Sequence, residues 1–406
     1  MTNPVRVLIC GGGNAAHVMA GLAATRQGVE VRVLTIFADE ADKWTEAMKL
    51  RGFNVIIKGH RGQPDIDLQA NPFTVSKYPE EVVPGCDLVV FAVPAYGHAQ
   101  YLNAMKPFLK PGSLLVALPG SSGFEFEVND VLKDVAKSIS VMTFDTLPWA
   151  ARLKEYGHSV EVLGIKKVIH GALHGNCETV FPHDRNAVET LQYLVGEVPV
   201  LDVSGHILGI TLLSPNAYVH PTMMYAEWAN WDGQPVSRAP LLYHGVTDSS
   251  IKEMTQVHEE VEGLAKRIME LRPNVDLSKV KGLFPYILEI YEDHILDKSN
   301  LKTAFLSNTA YEGLRFPMVA TEDGKLSPDF NNRYLSEDIP YGLVVIRGIA
   351  EIVGVDTPHI DKVLLWSQEK LGKEFLIDGH IAGKHVPESR SPQAYGMTTL
   401  DEILWM

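Results

Sequence analysis

The chain has 406 residues, 46% of them hydrophobic and 21% charged, a balance that excludes a wholly disordered polymer and leaves room for two or three domains. Its 36 Lys and Arg against 50 Asp and Glu give a net charge of -14 with no dense basic run, which argues against nucleic acid and for small-molecule partners. The three scattered cysteines (Cys10, Cys86, Cys177) match neither a disulfide framework nor a metal site, and no apolar stretch approaches the roughly 18 residues of a membrane span, so no membrane contact and a cytosolic location are expected.

The first half alternates strand and helix signals. Residues 5–10 form a continuous apolar run, as in a strand buried on both faces, and glycines break it at 11–13. A helix is predicted over 14–26 and stops near Gly28; a strand follows at 30–35, a polar helix at 38–51 with Trp44 and Met48 one turn apart, a short strand at 54–58 and a loop at 60–67. Further strands are predicted at 87–93, 113–118, 140–144 and 160–165, with a helix from Pro94 to about 108. Such alternation means α/β architecture: a doubly wound, Rossmann-type parallel sheet with helices on both faces. After a strand at 198–203 the texture turns helical, with helices predicted at 207–226, 251–270, 280–291, 341–352 and 361–371. The predicted division is a dinucleotide-binding domain over 1–203 and a mainly α-helical domain over 204–406, with a cleft between them for chemistry.

The strongest local signal is Gly11-Gly12-Gly13-Asn14-Ala15-Ala16, which fits G-x-G-x-x-A between a strand and a helix. Gly11 permits the tight turn, Gly13 lets backbone approach a pyrophosphate, and Ala16 allows close helix–strand packing. The second strand should end at the adenosine ribose. It ends at Thr35 with no arginine at once behind it, which favours NAD over NADP; Asp39 is either the ribose ligand or a helix cap. Ser121 and Ser122, after the strand at 113–118, either contact ligand or cap a helix. Asp145 and Thr146 follow the strand at 140–144 on the same ligand-facing end.

In the helical half, Asn216 and His220 lie at i,i+4 on one face, with Pro221 next; the alternatives for His220 are a structural and a catalytic histidine. The segment 329–340 sets Arg333 among acids that include Asp338. It is either a solvated loop with an ion pair or an arginine fork for a substrate carboxylate.

Over nearly its whole length the chain resembles the opine dehydrogenases of marine invertebrates, such as the octopine, tauropine, alanopine and strombine dehydrogenases. The resemblance rests on the segments CGGGNAAH, VRVLTIFADEADKW, LPGSSGFEF, TFDTLPWAAR, VHP around His220, and DFNNRYLSEDIP. It implies an NADH-dependent, reversible condensation: pyruvate and an amino acid form an imine, and hydride reduces it to a secondary amine. In the animal this would regenerate NAD+ for glycolysis when oxygen is short. It also implies that His220 is the catalytic histidine, Asp338 its paired acid, and Arg333 the holder of the oxo-acid carboxylate. Where the octopine enzymes place a glutamate and a cysteine against guanidinium, this chain has Asp145 and Ala151, so a small amine (alanine, glycine, β-alanine or taurine) is expected rather than arginine. A monomer is expected, since the family contains monomers and no heptad stripe demands a partner. The competing readings are a dehydrogenase of another small hydroxy acid or sugar phosphate on the same plan, and an NADH-binding sensor without turnover.

Overall fold

The computed structural model describes residues 4–59, 63–175 and 185–404. Cys177 and the first residues of the loop expected at 60–67 lie outside them. The described chain forms two compact units: one holds the residues up to Gly120 and Glu127–Ile207, the other Ser121–Phe126 and the residues from Leu208 on.

The elements of the first unit, in chain order, are β1 (Val5–Cys10), α1 (Asn14–Ala24), β2 (Val29–Leu34), α2 (Glu40–Arg51), β3 (Phe53–Ile57), β4 (Ile66–Ala70), β5 (Thr74–Ser76), α3 (Pro79–Val82), β6 (Leu88–Phe91), α4 (Ala95–Met105) and β7 (Leu114–Ala117). Then follow α5 (Phe124–Leu132), which begins in the other unit, β8 (Ser140–Phe144), β9 (Trp149–Glu155), β10 (Ser159–Ile165), β11 (Val168–His174), α6 (Ala187–Val195) and β12 (Val200–Val203). Eight strands pair in the order β12-β11-β8-β7-β6-β1-β2-β5. The stretch β5-β2-β1-β6-β7-β8 is parallel throughout and has the doubly wound dinucleotide order. Its middle strands β6 and β7 are wholly buried because helices cover both faces, which is why they read as unbroken apolar runs.

The structure adds strands that the pattern concealed. β11 runs antiparallel to β8, so the sheet is not purely parallel. A second sheet, β4-β3-β10-β9, joins two antiparallel hairpins through the parallel pair β3–β10. α1 packs tightly on it: a Cβ on Gly21 would come within 2.3 Å of a Val55 methyl.

The second unit is helical: α7 (Ile207–Leu212), α8 (Asn216–Trp228), α9 (Asp248–Leu271), α10 (Leu283–Ile290), α11 (Leu301–Ser307), α12 (Arg333–Ser336), α13 (Val344–Val353), α14 (Pro358–Leu371) and α15 (Leu400–Ile403), with two small hairpins, β13–β14 (Met318–Ala320, Leu326–Pro328) and β15–β16 (Leu376–Ile377, His380–Ile381). The single helix expected at 207–226 is two, because Pro215 lacks an N–H and disfavours helix at Ser214. α9 is the long central helix, and its stripe of Met254, Val257, Val261, Leu264, Ala265 and Ile268 is buried against the core that also holds Tyr218 and Met224 of α8.

Candidate active site

The first functional element lies where β1 passes into α1. Gly11 has φ +125, and a Cβ there would sit 2.8 Å from the Ala92 carbonyl oxygen, so only glycine fits. A Cβ on Gly12 would come within 2.0 Å of the Glu40 carboxylate. Gly13 differs: nothing lies within 4 Å of its Cβ position, and it leads into α1 with extended backbone and no side-chain cap. The result is an uncapped helix N-terminus behind a floor of glycine backbone, a cradle for a pyrophosphate that a side chain would fill. Ala16 is fully buried against the sheet and Ala15 half-buried. Asn14 turns aside from the turn: its Oδ1 accepts the Leu153 N–H at 2.8 Å and ties α1 to β9.

His17 supports this turn and was not singled out from the sequence. Its Nδ1 lies 3.0 Å from the Gly13 carbonyl, and its Nε2 accepts the Gly157 N–H at 3.2 Å. Its ring stacks on Trp44 at 3.5 Å between centroids. Burial pushes its pKa down to about 3, so it stays neutral with the proton on Nδ1. The helical period does carry the signal that would have found it, since His17 lies one turn after Gly13 on the inner face.

At the end of β2 the buried Thr35 hydroxyl donates to the Glu40 carboxylate. Asp39 is exposed, makes no side-chain cap on α2 and pairs with Lys43 at 3.0 Å. The carboxylate that stands against the glycine turn is therefore that of Glu40, one residue beyond the expected candidate.

In the helical unit, His220 and Asp338 meet across 118 residues: His220 Nδ1 lies 2.8 Å from Asp338 Oδ2. α8 carries the histidine through Pro221, which supplies no N–H to the Ala217 carbonyl. Asp338 opens a π-helical turn, Ile339–Leu343, whose Leu343 N–H returns to the Asp338 carbonyl at 3.0 Å. Gly342 lets this turn press on α8, because a Cβ there would sit 2.6 Å from the Ala217 Cβ. Burial raises the Asp338 pKa above the ordinary carboxylate value, and the bond to His220 pulls it back down. His220 Nε2 faces the Tyr243 hydroxyl at 2.8 Å, and Tyr334 stacks on the ring at 4.0 Å. Neither tyrosine was singled out from the sequence: Tyr243 lies in a segment without periodic signal, and Tyr334 sits among the polar residues of DFNNRYLSEDIP. Arg333 stands one turn before Asp338 on α12; its Nε bonds the buried Glu337 carboxylate while the rest of the side chain is largely exposed.

The remaining expected residues fall elsewhere. Ser121 has φ +57; Ser122 is buried, donates its Oγ–H to the Thr211 carbonyl at 2.8 Å and its N–H to the Tyr341 carbonyl at 3.0 Å, and so is tied to the π turn that follows Asp338. Asp145 is buried in the first unit and accepts the His170 N–H at 3.1 Å; Thr146 accepts from the Lys166 ammonium at 2.6 Å. Ala151 is a core residue of β9, paired with Val162. Asp145 and Thr146 thus sit in the unit with the glycine turn, and Ser121 and Ser122 in the unit with His220. Among the described residues there is no cluster fit to hold a metal ion, and no helix long and apolar enough to cross a membrane.

A doubly wound unit with a glycine cradle, joined in one chain to a helical unit with a carboxylate-backed histidine, defines a dinucleotide-dependent dehydrogenase. The family model described as NAD/NADP octopine/nopaline dehydrogenase, alpha-helical domain, matches residues 203–371. The tauropine dehydrogenase of Arabella iricolor is 45% identical over 400 residues, 98% of this chain and 100% of that one. The octopine dehydrogenase of Pecten maximus is 44% identical over 401 residues, 98% of each chain. A structure of octopine dehydrogenase with NADH and agmatine superposes with a TM-score of 0.93 at 43% identity, covering 98% of both chains. The chain belongs to the opine dehydrogenase family: it is an NAD-dependent oxidoreductase of the class acting on CH–NH donors.

Proposed function

We propose that this enzyme condenses pyruvate with a small amino acid or aminosulfonate and reduces the product to an opine, with His220 as the acid–base group. The observation that carries the reading is the 2.8 Å bond between His220 Nδ1 and Asp338. A carboxylate only accepts, so Nδ1 carries the proton and Nε2 is the nitrogen that exchanges protons. The amine nitrogen attacks the oxo carbon, water leaves with the oxo oxygen, and a protonated imine remains. NADH supplies the hydride, which converts the C=N bond to a secondary amine and leaves NAD+. Over the sequence His220 gives a proton to the departing oxygen and takes one from the amine nitrogen; the reverse reaction uses the same nitrogen as base. Asp338 steadies the imidazolium, and Arg333, oriented by Glu337, holds the oxo-acid carboxylate in its planar fork.

Gly11, Gly12 and Gly13 with the N-terminus of α1 would hold the dinucleotide phosphates. The Glu40 carboxylate, beside Gly12 and Thr35, would take the ribose 2′-hydroxyl and disfavour a 2′-phosphate.

The small amine is supported by Asp145, shorter than a glutamate and already accepting from the His170 backbone. The likeness to a tauropine dehydrogenase agrees with it. The likeness to octopine dehydrogenase, solved with NADH and L-arginine, makes arginine the alternative to test. The test follows NADH absorbance with pyruvate plus alanine, glycine, β-alanine, taurine or arginine. One of the four small amines should give the highest kcat/KM; the highest value with arginine would overturn the reading. Monomeric state in solution and a cytosolic location complete the proposal, with small molecules as the only partners.

A further inference from the structure

His220 is held at both ring nitrogens, by Asp338 at Nδ1 and by the Tyr243 hydroxyl at Nε2, each at 2.8 Å. Tyr243 begins a single 3-10 turn, Tyr243–Gly245, between α8 and α9. Its ring stacks on Tyr311 at 4.0 Å and lies parallel to Phe305 at 5.9 Å, so a rigid aromatic stack sets where the hydroxyl points. Burial raises the phenol pKa well above its ordinary value, so the group stays protonated across the working pH range.

The bonding arithmetic at Nε2 is one-sided. With Nδ1–H committed to Asp338, the neutral ring offers a lone pair at Nε2 and the phenol donates into it. Among the described residues the Tyr243 hydroxyl has no other hydrogen-bond partner. Once Nε2 is protonated, the phenol oxygen must accept instead, and its own proton is left inside an aromatic pocket without an acceptor.

We propose that Tyr243 is a positioning residue for the proton transfer: its hydroxyl occupies the working nitrogen of His220 in the free enzyme, holds the ring as the neutral Nδ1–H tautomer, and gives up that place to the substrate nitrogen or oxygen. The proposal rests on His220 being the acid–base group. In the opine-oxidising direction the base must be neutral, so the hydroxyl extends activity toward lower pH. The other ionisable groups around the pair are Tyr334 on the ring of His220, Arg333 and Glu337 beside Asp338, and Tyr291 and Tyr311 beside Tyr243. A single substitution leaves all of them in place.

The substitution is Tyr243→Phe, which keeps the aromatic stack and removes one oxygen. The pH profile of kcat/KM for opine oxidation reports the free enzyme, and that of kcat reports the substrate complex. In the variant the acid limb of kcat/KM should move up by about half to one pH unit, the worth of one neutral hydrogen bond. The midpoint of kcat should stay in place, because substrate has already displaced the hydroxyl. A role confined to packing would move neither midpoint, and an unmoved kcat/KM midpoint overturns the proposal. A measurement that needs neither substrate nor variant is the ¹⁵N NMR of His220 in the wild-type enzyme. The neutral ring should show a protonated Nδ1 and a bare Nε2, and the opposite tautomer overturns the proposal. If the wild type turns over no opine, the functional reading fails, while this spectrum still shows whether the nitrogen facing the Tyr243 hydroxyl is the bare one.

Discussion

At the scale of single residues, the site is built from groups whose charge state is set by what surrounds them. Burial pushes the Asp338 carboxyl and the Tyr243 phenol above their ordinary pKa values, while the bond to His220 pulls Asp338 back down, and the two groups face opposite nitrogens of the His220 ring. A second buried acid lies outside this set. Glu125 accepts the Thr211 hydroxyl at 2.6 Å, its other carboxylate oxygen is buried without a partner, and burial raises its pKa from 4.5 to about 7. The sign follows from proton counting. Between pH 4.5 and about 7 the folded protein binds more protons at Glu125 than the unfolded chain does, so stability falls as pH rises through that window. Glu125→Gln removes the titration and should stabilise the protein at pH 8 relative to pH 4.5 by up to about 3 kcal/mol. Denaturant melts of both proteins at the two pH values check this; an equal effect of the substitution at both would show that Glu125 does not titrate in the window.

At the scale of elements, the glycine turn was legible because each glycine has its own steric reason, and the structure sorts those reasons. Gly11 is demanded by its backbone angle, a side chain at Gly12 would displace the Glu40 carboxylate, and Gly13 is free of neighbours and has an ordinary φ of -92. Gly13→Val should therefore leave the thermal midpoint nearly unchanged yet cut NADH affinity at least tenfold, while Glu40→Gln should narrow the preference for NADH over NADPH. Fluorescence titration with both dinucleotides reads both effects. Unchanged NADH affinity in Gly13→Val would remove the pyrophosphate from this turn, and an unchanged preference in Glu40→Gln would remove the ribose from Glu40. The central strands were legible for a related reason: burial on both faces writes a continuous apolar run. β4 was hidden because most of it is exposed, and β9 because its alternating WAARLKE follows a proline in a segment that reads as a loop. The π turn after Asp338 had no signal, since Ile339–Leu343 fits a helix start equally well.

At the scale of the whole molecule, two units bring different features to one chain: a glycine turn before an uncapped helix in the first, and a histidine–carboxylate pair with Arg333 nearby in the second. The His220–Asp338 pairing spans 118 residues, and no local pattern could have joined them. Only the resemblance of whole segments implied that they pair. Tyr243 escaped because a tyrosine in an irregular segment carries no periodic or motif signal, and Tyr334 because the polar residues around it in DFNNRYLSEDIP drew the attention. The central claim is that His220 performs the proton transfer of an amine-dependent reduction. The measurement is NADH consumption with pyruvate, with and without the best amine of the panel, in the wild type and in His220→Ala, beside an NADH titration of each. The account predicts amine-dependent turnover in the wild type, a loss of about 10²–10⁴-fold in the variant, and nearly equal NADH affinity in both. Near-normal turnover in His220→Ala, or wild-type NADH consumption that ignores the amine, would contradict it.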